Sequence, residues 1–327
     1  MTYRIANYLG KRLRELGLQS TRDPRSRRGR RWPLHSVMAA ALAAMMSGCK
    51  SLGDMDLMTS SLSAQARRVL GIGRRLADTT ARGVLCRLSV QSPRVLLRRS
   101  VQRAKRRHVF DKKPGGFPIG VMSFDGKVTA IGSWESPYAQ RQLPESGKPY
   151  GLVRTVTSTL SSHPARICID VSPIPAHTNE MGHFQTALAD VCEYHGELFD
   201  LVTYDAGANS EANALAVLAA GKHYLFHMKD RRREMTRMSQ DLLDDCPVVA
   251  RTTDVVSNRE STRRELRMLR VFDHSKSPHK SLIWSHTKTI LRVDSITVRY
   301  NDKRLVESES TTDTRLFCSS MPHADLK

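Results

Sequence analysis

Two aspartates stand where this sequence could bring carboxylates together for metal-assisted chemistry. Asp125 follows a stretch at 118–124 that is typical of a β-strand, and Asp205 ends a second such stretch at 198–204. Metal ions that clamp the attacking and leaving oxygens of a phosphoryl transfer need carboxylates supplied by separate strands. We therefore predict that Asp125 and Asp205 are catalytic and bind metal, although 80 residues separate them in the chain.

Each aspartate also has a simpler interpretation. Asp125-Gly126 lies between apolar runs, and Asp-Gly is a strong hairpin signal, in which the carboxylate would have no chemical role. Asp205 could be a solvated loop residue, although the carboxyl ends of buried strands are where α/β proteins concentrate their ligand sites. The joint placement of the two residues favours the functional interpretation.

A third carboxylate is harder to find. Glu265, 60 residues after Asp205, is the candidate for a third catalytic residue. Its surroundings alternate at period two, which predicts a strand rather than a helix. Because Arg264 and Arg267 flank it, a surface ion pair is the competing interpretation.

The elements that would position these residues begin after a break. The cluster Lys-Lys-Pro-Gly-Gly at 112–116 predicts a domain boundary, which we place after Lys113. Strand patterns follow at 118–124, 128–132, 153–160 and 166–171, then a helix at 181–194, a strand at 198–204, a helix at 210–220 and a strand at 223–228. This order is that of the ribonuclease-H-like fold. The sequence thus predicts an α/β core of that class at 114–327, with a β-rich stretch beyond Asp241 that the pattern does not place.

Charge is segregated along the chain. Residues 1–113 hold 26 Lys+Arg against 6 Asp+Glu, a formal charge of +20, whereas residues 114–327 hold 26 against 26. Such an excess indicates a polyanionic partner, because each Lys or Arg placed on a phosphate releases a condensed counterion. Aromatic residues are only 6% of the chain, which argues against stacking platforms for single strands. We predict a basic, all-α, double-stranded-DNA-binding region at 1–113; a solvated basic face is the alternative.

The basic side chains expected on DNA fall into two groups. A run in the front region and a segment after the last predicted core strand supply them: Arg27, Arg28, Arg30, Arg31, Lys229, Arg231 and Arg232. The second group could equally be the solvated start of a helix.

The remaining features suggest a cytoplasmic protein. The six cysteines form no CxxC pair, which disfavours a zinc site and a disulfide framework. The apolar run 37–46 is too short to span a bilayer, so we interpret it as a buried helix and expect no membrane partner.

Several motifs, in order, resemble those of the insertion-sequence DDE transposases, in the subgroup often called H-repeat-associated. In the front region the matching segments are 23–25 (Asp-Pro-Arg), 29–34 (Gly-Arg-Arg-Trp-Pro-Leu) and 47–52 (Ser-Gly-Cys-Lys-Ser-Leu). In the core they are 125–127 (Asp-Gly-Lys), 178–180 (Thr-Asn-Glu), 205–206 (Asp-Ala), 221–229 (Gly through Lys) and 263–267 (Arg-Arg-Glu-Leu-Arg). The resemblance extends from about residue 9 to about residue 321. It departs at Gly207-Ala208-Asn209, where the family has bulkier residues and a Gln.

The resemblance implies a function. Proteins of that family use Mg²⁺, with Mn²⁺ as a substitute, to cleave DNA at the ends of their element and join it to target DNA, and Asp125 and Asp205 match their first two catalytic residues. It also implies a homo-oligomer on DNA, at the bacterial nucleoid. The third carboxylate of the family lies in a His-Trp-x-Ile-Glu-Asn helix that has no counterpart before Lys327, so we expect the core to be incomplete at its C-terminus. The rival hypotheses are a catalytically dead, DNA-binding remnant and an RNA-processing nuclease on the same fold.

Overall fold

The chain forms two compact units, Met1–Val109 and Phe110–Lys327. The predicted boundary after Lys113 falls within 112–117, outside the residues that the structure describes. This structure is a computed structural model, and it describes residues 3–111, 118–145, 147–205, 207, 209–228, 243, 247–257, 263–276, 283–299 and 311–326.

The described part of the first unit is built from helices alone. Its α-helices are α1 (Tyr3–Glu15), α2 (Leu34–Met46), α3 (Leu52–Ser61), α4 (Ala64–Leu70), α5 (Asp78–Leu85) and α6 (Gln91–Arg106). The prediction of an all-α region is confirmed here. Helix α2 carries the apolar run, and its Val37, Ala40 and Ala43 side chains are fully buried, as expected for a core helix. None of the helices in the described residues has the length and apolar character that crossing a bilayer requires.

The second unit is mixed α/β. Its strands are β1 (Val121–Ile131), β2 (Ala139–Gln142), β3 (Tyr150–Leu160), β4 (Ile167–Ile174), β5 (Leu201–Tyr204), β6 (His223–Met228), β7 (Val248–Ser257), β8 (Arg263–Asp273), β9 (Thr289–Arg299) and β10 (Thr311–Ser319). Helix α7 (Glu180–His195) precedes β5, and α8 (Glu211–Ala219) connects β5 to β6.

These ten strands form one sheet in the order β2-β3-β1-β5-β6-β10-β9-β8-β7, with β4 also paired to β3. Strand β5 runs parallel to both β1 and β6, whereas the pairs of β3 with β1, β2 and β4 are antiparallel. The β-rich stretch that the sequence could not place extends the sheet beyond β6 as β10, β9, β8 and β7, all antiparallel.

One prediction about the start of the core was wrong. The sequence suggested two strands separated at Asp125-Gly126, but β1 is continuous through both residues and pairs with β3 from Met122↔Leu160 to Ile131↔Gly151. Gly126 serves close packing instead of a turn, because a Cβ there would lie 2.1 Å from the carboxyl carbon of Glu180. The hairpin interpretation of Asp125-Gly126 is therefore excluded.

An aromatic cluster fixes the parallel strands under α7. The Phe184 ring on α7 is fully buried, and its centroid lies 5.3 Å from that of Phe124 on β1, 5.0 Å from Tyr204 on β5 and 6.2 Å from Phe226 on β6. Helix α7 thus packs on one residue from each of three neighbouring strands. Because successive side chains point to opposite faces of a sheet, the residue that follows each of these aromatic residues points away from α7.

Gly120 lets β1 and β5 start close together. The Asp200 and Leu201 N–H groups both donate to its carbonyl oxygen, at 2.9 and 3.0 Å. A Cβ on Gly120 would lie 2.2 Å from the Leu198 carbonyl oxygen and 2.6 Å from the Phe199 Cα. Because these are backbone atoms, they cannot move aside as a side chain would.

We expect Gly120→Ala to lower the free energy of unfolding of the second unit by about 1–3 kcal/mol, the usual cost of overpacking. Urea unfolding followed by circular dichroism measures this change. Gly132→Ala is the matched control, because a Cβ there meets nothing within 4 Å. A Gly120→Ala variant as stable as the Gly132→Ala variant would contradict the close approach.

Candidate functional site

The structure places Asp125 and Asp205 side by side. Strands β1 and β5 are parallel, with Phe124 level with Tyr204, and the two aspartates are the next residue in each case. Adjacent strands lie about 4.8 Å apart. Both aspartates are exposed, and we call them the aspartate pair.

The aspartate pair faces away from α7. Successive side chains of a strand point to opposite faces of its sheet, and Phe124 and Tyr204 point towards Phe184 of α7. The residues that follow them therefore point to the other face. Ser123 and Thr203, two positions before the aspartates, share that face, and the Thr203 hydroxyl donates to the Ser123 hydroxyl at 2.9 Å.

A histidine that the sequence analysis did not select continues this row. Tyr204 on β5 is level with Phe226 on β6, so His227 stands next to Asp205. The His227 Nδ1 lies 3.9 Å from the Asp205 Oδ1. One signal in the sequence could have revealed it. An aromatic residue immediately precedes the polar residue both in Tyr204-Asp205 and in Phe226-His227.

His227 is held from its other side by β10. It is level with Phe317, and the two rings are tilted by 33° with their centroids 5.0 Å apart. Its side chain is 28% exposed, whereas the Asp205 side chain is 71% exposed. The imidazole is thus held by packing and is less exposed than the carboxylate beside it.

A third carboxylate, that of Glu180, lies near the pair on the α7 side. Glu180 begins α7, and the preceding Asn179 caps this helix by accepting from the Gly182 N–H at 2.9 Å. The Glu180 carboxylate lies over Gly126. The Asp-Gly-Lys and Thr-Asn-Glu motifs, 53 residues apart at their first positions, are therefore in contact.

The Tyr204 hydroxyl shows that the region is electronegative. Tyr204 is 5% exposed, and its hydroxyl has no hydrogen-bond partner among the described residues. Burial raises the pKa of this hydroxyl, and the charges of Glu180, Asp125 and Asp205 raise it further. Negative charge gathered around one end of the parallel strands is what a bound cation would neutralise.

Glu265 is not brought to the aspartate pair. It lies on β8, and strands β6, β10 and β9 stand between β8 and β5. The Arg267 Nε donates to the Glu265 Oε1 at 2.8 Å. The strand that its alternation predicted is confirmed, and the ion pair is present.

The four arginines of the basic run, 27–31, have different roles. Arg30 donates to the Arg25 carbonyl oxygen at 2.8 Å and to the Asp23 carbonyl oxygen at 3.3 Å. Arg31 lies over the Trp32 ring at 5.2 Å. Arg27 and Arg28 are exposed, so their guanidinium groups face solvent. The other predicted DNA contacts, Lys229, Arg231 and Arg232, lie outside the described residues.

This division predicts different outcomes for substitutions within the run. Replacing both Arg27 and Arg28 with Ala should lower the salt dependence of DNA binding by about 1.8 in slope, or about 0.9 per phosphate contact. The free energy of unfolding should stay within about 0.5 kcal/mol. Arg30→Ala should instead destabilise the first unit by about 1 kcal/mol through lost hydrogen bonds. Fluorescence anisotropy and thermal unfolding would measure these effects. If the double variant and Arg30→Ala changed DNA binding and stability equally, the different roles of these arginines would be contradicted.

The aspartate pair and His227 suit a divalent cation in chemistry and in sharing one face. Carboxylate oxygens are ligands for Mg²⁺ and Mn²⁺, and imidazole is a ligand for the later divalent ions of the first transition-metal row. Within the described residues, no three His, Cys, Asp or Glu side chains are grouped so that they could hold a metal ion.

Comparison with models of known protein families finds none that matches the chain. A search of curated proteins finds no match either.

Proposed function

We propose that this chain is a DNA transposase of an insertion sequence, which cleaves phosphodiester bonds at element ends and joins them to target DNA. The observation that carries the proposal is the aspartate pair. Two motifs that resemble the catalytic motifs of that family begin 80 residues apart in sequence, yet their aspartates directly follow Phe124 and Tyr204, which are level with each other on two parallel strands. A chance similarity of motifs would not explain why the two aspartates are neighbours in the fold.

The sheet order supports the same proposal. Strands β4, β3, β1, β5 and β6 are neighbours in that order, with β1, β5 and β6 parallel and β3 antiparallel to β1. Helices lie between β4 and β5 and between β5 and β6. This is the arrangement expected for a ribonuclease-H-like core, in which the first and fourth core strands, here β1 and β5, bring their aspartates together.

The residues of the chain have distinct tasks in this proposal. Asp125 and Asp205 would hold the divalent ions, Mg²⁺ or Mn²⁺. When bound, such ions lower the pKa of the attacking water and neutralise charge that develops on the phosphate oxygens. Phe184 and the strands beneath it hold the two carboxylates at the spacing of adjacent strands, so little reorganisation is needed at the moment of reaction.

The first unit supplies the affinity for DNA. Its net positive charge and the exposed Arg27 and Arg28 suit phosphate contacts, which add affinity without reading sequence. The protein would cleave element ends and join them to target DNA at the nucleoid, as a homo-oligomer.

A second candidate function is DNA binding without catalysis. It is favoured by the position of Glu265, which is four strands away from Asp205 in the sheet order and cannot serve as the third carboxylate there. In this alternative the sheet is intact, but the metal ions lack a ligand.

A cleavage assay separates the two candidates. The full chain would be incubated with duplex DNA that carries the terminal sequences flanking its coding region, with Mg²⁺ or Mn²⁺. Metal-dependent breaks at the element ends, leaving 3′-hydroxyls, would support the transposase. Salt-sensitive binding without breaks would favour the DNA-binding candidate, and the absence of both would overturn the two proposals together.

A further inference from the structure

We propose that a cavity in the first unit binds a phosphate group of the DNA backbone through Arg14, His35 and Arg68. The inference rests on the proposed function only in taking duplex DNA as the source of that phosphate.

The cavity lies between three helices of the first unit. Its volume is about 400 Å³, and its walls come from the end of α1 and the loop that follows, the start of α2 and the last turn of α4. Pockets that bind small ligands have volumes of about 300 Å³ or more, so the cavity has room for a phosphate and the sugar attached to it. The apolar part of the lining includes the buried side chains of Leu13, Leu18 and Leu70.

Contacts between the helices hold this lining in place. Helix α1 approaches the end of α4 at Gly10, where a Cβ would lie 2.3 Å from the Val69 carbonyl oxygen. One turn later, the Arg14 Nη1 donates to the same oxygen at 3.1 Å. From α2, the Ser36 hydroxyl donates to the Gly71 carbonyl oxygen at 2.8 Å. The cavity is therefore bounded by helices that are hydrogen-bonded to one another.

The charged lining of the cavity is entirely basic. Arg14 and Arg68 are exposed and His35 is half-buried, and the described residues that line the cavity include no Asp or Glu. Neither the Arg68 guanidinium nor the His35 imidazole has a hydrogen bond or an ion pair within the part of the chain that the structure describes. A guanidinium has five N–H donors and a neutral imidazole has one. An anion is the ligand that supplies acceptors for them.

The end of α4 does not account for Arg68. Basic side chains in the last turn of a helix commonly bind its unpaired carbonyl oxygens. Here the Arg67 oxygen accepts from the Ile72 N–H at 2.9 Å, and the Arg68 oxygen accepts from the Gly71 N–H at 3.2 Å. The Val69 and Gly71 oxygens accept the two hydrogen bonds that connect α4 to α1 and α2. The guanidinium of Arg68 therefore stays available to a ligand.

His35 brings the start of α2 to the same cavity. It lies in the first turn of this helix, and the N-terminus of a helix carries a partial positive charge that favours anions. The N-cap residue is Pro33, which makes no side-chain capping hydrogen bond. The imidazole and the positive end of α2 thus add to the charge of the two arginines.

A sugar–phosphate unit matches both parts of the lining. Its phosphate oxygens accept from Arg68 and His35, and its deoxyribose packs on the apolar side chains. The basic excess of the first unit attracts a polyanion, which favours the DNA backbone as the source. Inorganic phosphate and free nucleotides offer the same acceptors, so the experiment must separate these sources.

Nuclear magnetic resonance of the full chain, with ¹⁵N in its histidines alone, tests the site on the wild-type protein. The His35 ring signals are assigned by their loss in His35→Gln. We expect these signals to shift when a short DNA duplex is added. Inorganic phosphate and thymidine 3′,5′-bisphosphate should need at least about tenfold higher phosphate concentrations, because neighbouring contacts hold the duplex in place.

Variants then connect the shift to the cavity. Arg68→Gln should reduce the His35 shift at saturating duplex and lower the salt slope of DNA binding by about 0.9, the value of one phosphate contact. Its thermal unfolding midpoint should match that of the wild type, because the guanidinium has no partner among the described residues. Arg82→Gln is the matched control: Arg82 is an exposed arginine of α5 that does not line the cavity. This variant should keep the His35 shift.

The outcomes separate the inference from the proposed function. Salt-sensitive DNA binding that leaves the His35 signals unmoved, or that loses the shift equally in Arg68→Gln and Arg82→Gln, overturns the cavity site and leaves the proposed function standing. An equal response to duplex, phosphate and bisphosphate overturns the DNA backbone as the ligand. Failure of the wild-type chain to bind duplex overturns the DNA partner of the proposed function together with the inference.

Discussion

Replacing Asp205 with Asn should reduce metal-dependent DNA cleavage by the chain at least about 100-fold. A bound divalent ion contributes several kcal/mol of transition-state stabilisation, and each 1.36 kcal/mol corresponds to about tenfold in rate. Asn keeps the size of the side chain but removes the negative charge that holds the ion. Asp125→Asn should have an effect of the same size, because the two residues are adjacent on parallel strands.

Glu265→Gln is the matched control for that result. Glu265 pairs with Arg267 on β8, at a distance of several strands from the aspartates, so its substitution should change the cleavage rate less than about twofold. Initial rates on end-labelled duplex, with DNA binding measured in parallel, provide the comparison. If Glu265→Gln lost activity as completely as Asp205→Asn, the geometry of the site as described would be wrong.

The affinity of the full chain for duplex DNA should fall about 10³-fold between 50 and 200 mM salt. This estimate assumes about six phosphate contacts and a slope of about −0.9 for each. The physical cause is counterion release by the first unit, Met1–Val109, whose 24 Lys+Arg against 5 Asp+Glu give 24 − 5 = +19 of the formal excess of +20. Anisotropy titrations over a series of salt concentrations would give the slope directly.

The same titration distinguishes this origin of affinity from others. Binding dominated by base contacts or by apolar surface would be nearly insensitive to salt. An affinity that changed less than about threefold over that range would show that the charge of the first unit faces solvent and not DNA. A steep slope that persisted in a chain beginning at Phe110 would place the contacts in the second unit.

Short-range patterns in the sequence predicted several secondary-structure elements and the distribution of charge. The continuous apolar run at 37–46 predicted the buried helix α2. Period two around Glu265 predicted β8. Charge segregation is likewise visible in the sequence, since it needs only counting.

Signals that were strong locally could still be overruled by packing. Asp125-Gly126 is a good turn sequence, yet pairing with β3 along the whole of β1 outweighs the turn preference of two residues. The glycine instead lies beneath the carboxylate of Glu180, which the chain reaches only 54 residues later.

Tertiary structure decided which other residues join the two aspartates at the candidate site. Motifs in the sequence named Asp125 and Asp205, but only the parallel register of β1, β5 and β6 set His227 beside Asp205 and left Glu265 strands away. Contacts with Asp23 and Arg25 likewise set Arg30 apart from Arg27 and Arg28. The physical reason is that periodicity reports which face a residue takes within its own element. The neighbour across a sheet depends instead on register, which is settled by the packing of aromatic side chains far apart in the chain.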